Sequence, residues 1–598
     1  MNISRIGQNV QSKGISALFL TNHVNKNVFK PSFDVVHFTG TQKKPLPVPA
    51  EEILPVADSL SNSTSGHRAI YGSKQFNKDL MGVFALGVAD YAKEVASAKG
   101  KKYPTVLVGG DTRQATKESI PTIVEKLQEA NVAVQKIDYP VATPMLALMA
   151  EENSEDVDIA ILMTASHNPW EYGGFNLVTS DGAIAPAPVT KQVAKNIKSI
   201  AENNFYRAVA DEDKKPVEIV DPYDAYKEKI EDLDLIDFEA IKDSGIKIYY
   251  DSLDGTGKYV VPKLMNDFGV DITEIKTDAD SIEGPDPIEK NLALLKQEVL
   301  EDDSTLKIGL ANDGDSDRFG VMDSDGTFLT PDQVILLTSY HLHQNKGKDG
   351  ALVRNQVTTS IIDEYANAND LESIVTPVGF KFLAEEIINA RENGSDVVVA
   401  GEESGGLTVA GHIPEKDGII AILLMADLMA TEKKPLKQIY NDVIENMDLH
   451  FASHSTSKKL ESDIDKQKIM NKMETVYDEA VNGGKTEFLP GFDIDVEKTK
   501  EHHEKMIGYK GNSDGIKLFF TNGSQLTVRK SGTEPKVRVS IESKGETDEQ
   551  ANQNCEILKS QIDTILSVWK RMNEYHNDLQ KWRSFFVWFL LIFVNFLN

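Results

Sequence analysis

Thr105-Val106-Leu107-Val108 runs directly into Gly109-Gly110-Asp111-Thr112-Arg113, and the same transition recurs twice along the chain. Ile246-Lys247-Ile248-Tyr249-Tyr250 passes into Asp251-Ser252-Leu253-Asp254-Gly255, and Ala351-Leu352-Val353-Arg354 into Asn355-Gln356-Val357-Thr358-Thr359-Ser360. Each time an apolar, β-prone run stops at a polar or glycine-rich turn, and amphipathic helical sequence follows. Leu80, Val83, Phe84, Gly87 and Tyr91, for instance, share one helical face. Three such openings predict three related α/β units with mixed or parallel sheets. From about His450 the texture changes to Lys/Asp/Glu-rich helix and then the adjacent strand-like runs Gln525 to Val528 and Val537 to Ile541, which predict a smaller α+β domain. A length of 598 residues agrees with four domains of roughly 150 residues each.

Hydrophobic residues at 40% and charged ones at 26% are the proportions of a packed globular chain. Asp and Glu number 93 against 64 Lys and Arg, a formal charge of -29, so nucleic acid and anionic membrane are excluded as long-range electrostatic partners. An anionic ligand then needs a locally concentrated set of cations. The single cysteine, Cys555, excludes an intramolecular disulfide and a cysteine metal cage, and fits a reducing, cytoplasmic setting. Residues 1–63, with the cluster Lys44-Pro45-Leu46-Pro47-Val48-Pro49, read as a poorly ordered extension. Phe585 to Val594 is the most hydrophobic run; as a helix it spans about 20 Å against roughly 30 Å of bilayer core, so no membrane span is expected. Adhesion of this tail to a membrane or a protein stays open.

Ligand groups in open parallel sheets gather beyond the carboxyl ends of strands, and four loops there carry chemistry. Thr164-Ala165-Ser166-His167-Asn168-Pro169 follows the apolar run Ile159 to Met163, and Ser166 is either a nucleophile or an ordinary turn cap. Asn312-Asp313-Gly314-Asp315-Ser316-Asp317-Arg318 alternates three carboxylates that can converge on a hard divalent cation. It is no EF-hand, since Arg318 stands where glycine is required and Ser324 where glutamate is; a solvated acidic turn is the alternative. Arg318 beside the carboxylates points to an anion, such as a phosphoryl group, sharing the ion. Gly401-Glu402-Glu403-Ser404-Gly405-Gly406 offers acceptors for sugar hydroxyls, or simply starts a helix. Arg529-Lys530-Ser531-Gly532-Thr533, continuing to Arg538, reverses the overall charge and combines guanidinium, hydroxyl and turn N–H groups suited to phosphate. Two glycine-rich decoys fail: Val260 breaks a dinucleotide fingerprint after Gly255-Thr256-Gly257, and Glu479 breaks a P-loop before Gly484-Lys485-Thr486.

In this order the loops resemble those of the α-D-phosphohexomutases, the phosphoglucomutase/phosphomannomutase group, over about residues 64–543. Thr64-Ser65-Gly66-His67-Arg68 is similar to the family's N-terminal signature, Thr164 to Pro169 to its phosphoserine loop, and Asp313 to Arg318 to its magnesium loop. Gly401 to Gly406 resembles the sugar loop and Arg529 to Thr533 the phosphate loop, with smaller echoes at Val378-Gly379-Phe380-Lys381, Pro285-Asp286-Pro287 and Lys416-Asp417-Gly418. The resemblance implies domains at 64–215, 216–328, 329–450 and 451–575 around a central cleft, carrying the serine, metal, sugar and phosphate loops in turn, with residues 576–598 as a hydrophobic tail.

It further implies an isomerase that interconverts hexose 1-phosphate and hexose 6-phosphate through a phosphoserine and a bound hexose 1,6-bisphosphate. Ser166 would carry the phosphoryl group, beside one Mg²⁺ on Asp313, Asp315, Asp317 and the serine oxygen, assisted by Arg68 and Arg318. Glu402 and Ser404 would hold sugar hydroxyls, and Arg529, Ser531, Gly532 and Thr533 the distal phosphate. Glucose is the expected sugar, with mannose secondary. Asn176 stands where the family commonly has a lysine, so the proton carrier is sought among His167, Lys381, His412 and Lys416. A metal-dependent sugar-phosphate phosphohydrolase and a non-catalytic sugar-phosphate binder are the alternatives.

Overall fold

Ile159–Met163 forms a strand buried along its whole length, as an apolar strand covered by helices on both faces must be. It belongs to a computed structural model that describes residues 41–62, 66–460, 462–484, 487–489, 492–510, 515–530 and 536–574. In the first sheet Thr105–Gly110 lies between the parallel strands Ala133–Ile137 and Ile159–Met163; Val217–Val220 closes one edge, and Tyr172–Val178 and His67–Ile70 run antiparallel at the other. The second sheet sets Lys247–Asp251 between the parallel strands Thr273–Ile275 and Lys307–Asn312, then turns antiparallel into Phe319–Met322. The third sets Ala351–Asn355 between Glu372–Thr376 and Val397–Glu402, then turns antiparallel into Gly406–Val409. The last sheet is wholly antiparallel: Phe451–Lys459, Lys536–Lys544, Gln525–Lys530, Gly515–Phe519.

One topological point positions the site. In all three α/β units the last parallel strand turns back through an antiparallel neighbour. The three turns so formed are Thr164 to Glu171, Asp313 to Arg318 and Glu403 to Gly405. The serine, acidic and sugar loops thus occupy equivalent places in three copies of one plan, beyond the carboxyl ends of their strands.

One apolar core reaches through all three units, joining Leu146, Ile308, Leu352 and Leu424, beside smaller clusters within each unit. Its centre is the helix Gly418–Glu432, buried from Gly418 to Ala430 and apolar on every face except at Asp427, which pairs with His341 and Lys346. The last domain has a separate core built on Leu518, Leu526, Val539 and Leu558.

The expected extension over residues 1–63 requires correction for residues 42–62. Gln42–Pro45 pairs antiparallel with Phe205–Ala208, and the helix Ala50–Asn62 buries Ile53, Val56, Ala57 and Leu60 in the core of the first domain. Those four apolar residues recur at i, i+3, i+4 and i+7, a helical stripe masked in composition by the surrounding prolines and charges. Residues 1–40 and the hydrophobic tail 576–598 lie outside the described residues; among the described residues no helix is long and apolar enough to cross a membrane.

Candidate active site

Ser166 sits in the left-handed region at φ 51 and is almost fully buried. A non-glycine residue in that conformation has to be held there by its surroundings. Thr164 Oγ1 accepts the Ser166 N–H at 2.8 Å. The Arg113 guanidinium donates to the carbonyls of Ser166, Asn168 and Pro169 and is oriented by Asp111 at 3.1 Å. Behind the loop, Asn176 Nδ2 donates to Thr164 O at 2.9 Å, and a side chain on Gly174 would collide with that same carbonyl. Arg68 donates to Asn168 Oδ1 at 2.9 Å. Because Arg113 and Asp111 are both buried, Arg113→Met leaves an uncompensated carboxylate; it should destabilise the first domain by about 3–5 kcal/mol, read by denaturant unfolding, with loss of activity.

The acidic loop lies against the serine loop so closely that a Cβ on Gly314 would meet Ser166 O at 2.8 Å. Ser166 Oγ donates to Asp313 Oδ2 at 2.7 Å and lies 3.2 Å from His167 Nδ1. Thr143, at the start of the first-domain helix Thr143–Glu152, donates both its N–H and its hydroxyl to Asp315, each at 2.8 Å, which pins the acidic loop to the first domain. Asp313, Asp315 and Asp317 are buried, with ligand oxygens all within 4.8 Å of one another. Burial, then the neighbouring carboxylates, push Asp313 well above the usual carboxyl range and raise Asp315 as well. Burial would raise Asp317 too, but Lys416 and Arg318 outweigh it and hold it low. Among the described residues Asp315 Oδ1 and Asp317 Oδ1 have no hydrogen-bond partner. Three buried, mutually repelling carboxylates whose oxygens lie within 4.8 Å of one another, two of them with an unpartnered oxygen among the described residues, fit a hard divalent cation, which takes oxygen ligands.

Around this cluster stand cations. Lys416 ion-pairs with Asp317, and although burial works against its charge, Asp317 and Glu415 keep its ammonium above the usual lysine range. The Nε atoms of Arg68, Arg318 and Arg529 are buried without hydrogen-bond partners among the described residues. In the third unit Glu402 accepts from Asn355 Nδ2 and from Gly379 N, both at 3.0 Å, and burial followed by the Glu403 charge raises its pKa. Arg529 of the last domain reaches Glu403 at 3.3 Å, so the end of the strand Gln525–Lys530 meets the Glu402–Glu403 turn.

Models of the phosphoglucomutase/phosphomannomutase α/β/α domains I, II and III match residues 60–204, 224–326 and 330–447, and that of the C-terminal domain matches 493–559. The chain belongs to the phosphoglucomutase/phosphomannomutase family. It is a hexose-phosphate mutase, an isomerase that works by phosphoryl transfer. It is 26% identical over 494 residues to a phosphoglucomutase/phosphomannomutase of Thermococcus kodakarensis, covering 80% of this chain and 94% of the relative. It is 27% identical over 482 residues to a probable phosphoglucosamine mutase of Methanococcoides burtonii, covering 79% and 95%. In fold it is similar to parafusin, a phosphoglucomutase of Paramecium solved in an open form, at a TM-score of 0.69 and 19% identity, covering 89% of this chain and 97% of that one.

In this phosphohexomutase Ser166, His167, Arg68, Arg318, Lys416 and the three aspartates come together. Glu402 lies at the neighbouring loop, where Ser404 is half-buried. Ser531, Gly532 and Thr533 lie outside the described residues, as do Thr64 and Ser65. His412 needs correction as a proton carrier. Its Nε2 is tied at 2.7 Å to Asp417, which also accepts from Tyr226 and caps the central helix through the N–H groups of Ile419 and Ile420. That fully buried network is a helix cap, and its imidazole is committed to it. Lys381 is half-buried at the start of the helix Phe380–Glu392, its ammonium 5.3 Å from the Phe382 ring. His167 is held neutral, first by burial and then by the charges of Arg318, Arg68, Lys416 and Arg113.

Sequence reasoning passed over Arg113, Thr143 and Asn355. Arg113 closes the first strand-to-turn run, yet its target is a loop more than fifty positions away, and no local pattern marks such a pairing.

The sugar loop also abuts Asp332, whose carboxyl burial pushes up to about 7 against the pull of the Thr359 N–H, with Glu542 and Glu403 adding to the rise. An aspartate in the unfolded chain titrates near 4. Between those values the folded state binds the extra proton, so this group's contribution to stability falls as pH rises from about 4 to 7 and its penalty is complete above that. Asp332→Asn should therefore flatten the fall of Tm with pH across this window and raise Tm at pH 8, measured by scanning calorimetry.

Proposed function

We propose that this chain interconverts glucose 1-phosphate and glucose 6-phosphate, with mannose phosphates as secondary substrates, by way of a phosphoserine at Ser166 and a bound 1,6-bisphosphate. The observation that carries the reading is the 2.7 Å contact between Ser166 Oγ and Asp313 inside the buried triad. Asp313, Asp315 and Asp317 would hold Mg²⁺, which when bound neutralises charge on a transferring phosphoryl group.

In the forward step the sugar 6-oxygen attacks the phosphoserine phosphorus. A new P–O6 bond forms and the P–Oγ bond breaks; the 6-hydroxyl gives up its proton and the departing Oγ takes one up. We assign the relay between them to His167, whose Nδ1 lies 3.2 Å from Oγ and which is neutral before and after the step. Lys416, Arg68 and Arg318 remain charged and face the transferring oxygens. The bisphosphate then turns end for end and returns its 1-phosphoryl group to Ser166. Glu402 and Ser404 hold sugar hydroxyls, and Arg529 with residues 531–533 grips the distal phosphate in either orientation.

The loop Gly401-Glu402-Glu403-Ser404 supports glucose, and the Thermococcus relative, named for both activities, supports mannose as the second sugar. Parallel coupled assays on glucose, mannose and glucosamine 1-phosphates with Mg²⁺ test this. The expected order of kcat/KM is glucose, then mannose, then glucosamine; a preference for glucosamine 1-phosphate overturns the substrate assignment.

A further inference from the structure

The turn that follows the third-unit strand Ala351–Asn355 touches the sugar loop on one side and the last domain on the other. On the sugar side one amide serves two acids. Asn355 Nδ2 donates to Glu402 Oε1 at 3.0 Å and to Glu403 Oε2 at 2.8 Å, while Asn355 Oδ1 accepts the N–H groups of Val357 and Thr358 at 2.8 and 3.0 Å. Thr358 Oγ1 in turn accepts the Glu403 N–H at 3.0 Å. The shared amide offsets the repulsion between two adjacent carboxylates, and among the described residues it is the one group that holds both, since the Gly379 N–H reaches only Glu402 and Arg529 only Glu403.

On the other side the last domain grips the same turn. Both Glu542 oxygens accept the Ser360 N–H, at 3.1 and 3.2 Å, and Lys517 Nζ donates to Gln356 O at 2.8 Å. His502 Nε2 lies 3.1 Å from Gln356 Oε1, and Gln525 donates to Ser360 Oγ. These partners come from three strands, Gly515–Phe519, Gln525–Lys530 and Lys536–Lys544, and from the helix Val496–Lys510 of a domain with its own core. The turn is therefore a joint whose one face is fixed by the last domain's seating and whose other face fixes Glu402 and Glu403.

We infer that Asn355 is a positioning residue that sets the sugar-holding carboxylates, and that the Asn355–Ser360 turn makes their placement depend on docking of the last domain. The inference rests on the reading of Glu402 as a sugar-hydroxyl ligand. A seated phosphate end of the substrate, drawing the last domain down, would thereby ready the carboxylates for the sugar ring.

The test is a double-mutant cycle on the full chain, with glucose 1-phosphate varied at saturating Mg²⁺ and glucose 1,6-bisphosphate. Asn355→Asp keeps the turn-capping oxygen and removes the shared donor. Glu542→Gln weakens the docking contact far from the sugar. Each should raise KM about tenfold or more, the loss expected for a charge-assisted hydrogen bond, while kcat changes less than about threefold. The double variant should be no worse than the worse single one. Asn355→Ser, which keeps a capping oxygen without a new charge, should show the same KM rise and decides the matter should Asn355→Asp melt early.

An unchanged KM in both Asn355 variants, alongside a raised KM in Glu402→Gln, overturns the inference. Multiplicative effects of Asn355→Asp and Glu542→Gln overturn the coupling to the last domain. An unchanged KM in Glu402→Gln instead overturns the sugar-ligand reading beneath it.

Discussion

Ser166→Ala should abolish interconversion of glucose 1-phosphate and glucose 6-phosphate, lowering kcat by at least about 10⁴-fold, in the range found when a covalent nucleophile is deleted. The expectation follows from placement. Ser166 Oγ is hydrogen-bonded to Asp313 of the carboxylate cluster, and its backbone is held at φ 51 by Thr164 and the Arg113 fork whether or not the oxygen is present. The variant should accordingly fold with a wild-type circular dichroism spectrum and still bind glucose 1,6-bisphosphate by calorimetry. Incubation of the wild type with ³²P-labelled bisphosphate should leave one acid-stable phosphate on the chain, and the Ala variant none. Label retained by the Ala variant, or activity within about a hundredfold of wild type, would remove the serine from the mechanism.

Asp315→Asn should produce the second largest loss. Replacing one anionic oxygen ligand of a three-carboxylate site by a neutral amide oxygen costs affinity for Mg²⁺ and misplaces whatever the ion neutralises, so kcat/KM at millimolar Mg²⁺ should fall by about 10²–10³-fold. The same change relieves a strain. In the metal-free protein Asp313 and Asp315 are both raised by burial and by each other's neighbours, and an amide at 315 removes one of the three repelling charges. The metal-free variant should then melt no lower than metal-free wild type. Mg²⁺ at a hundredfold excess over its Kd contributes about 2.7 kcal/mol by mass action, and should raise the Tm of wild type clearly but that of Asp315→Asn little. A variant that loses activity while keeping a wild-type Mg²⁺ shift would place the ion elsewhere.

Much of the architecture is legible without coordinates, because an apolar run that ends at a glycine-rich turn is local information. The strands at Thr105, Lys247 and Ala351 stand where the sequence places them. The acidic loop is legible for a related reason: unneutralised carboxylates at alternate positions are a costly pattern without a function to hold them, whereas Ser166 by its own neighbours reads equally as a turn cap and is singled out only by the family resemblance. Composition misled where periodicity was the better guide. The helix Ala50–Asn62 was hidden by prolines, though Ile53, Val56, Ala57 and Leu60 carry its stripe. His412 shows the converse. As a lone histidine beside Lys416 and Asp417 it reads as a proton carrier, and only its partner Asp417, spent on capping a helix, shows otherwise.

The sequence by itself determined the kinds of group present: a hydroxyl, three alternating carboxylates, paired glutamates and a basic loop in an acidic chain, each set at the end of a strand. Tertiary structure alone decided that the first two meet at 2.7 Å, that Arg113 reaches back to hold three carbonyls, and that Asn355 serves two acids while the last domain grips its turn. The reason is one of range. Propensity and periodicity act over a turn or a strand, whereas Coulomb energy and hydrogen bonding depend on distances between residues 147 or 182 positions apart, which only the packed sheets bring together.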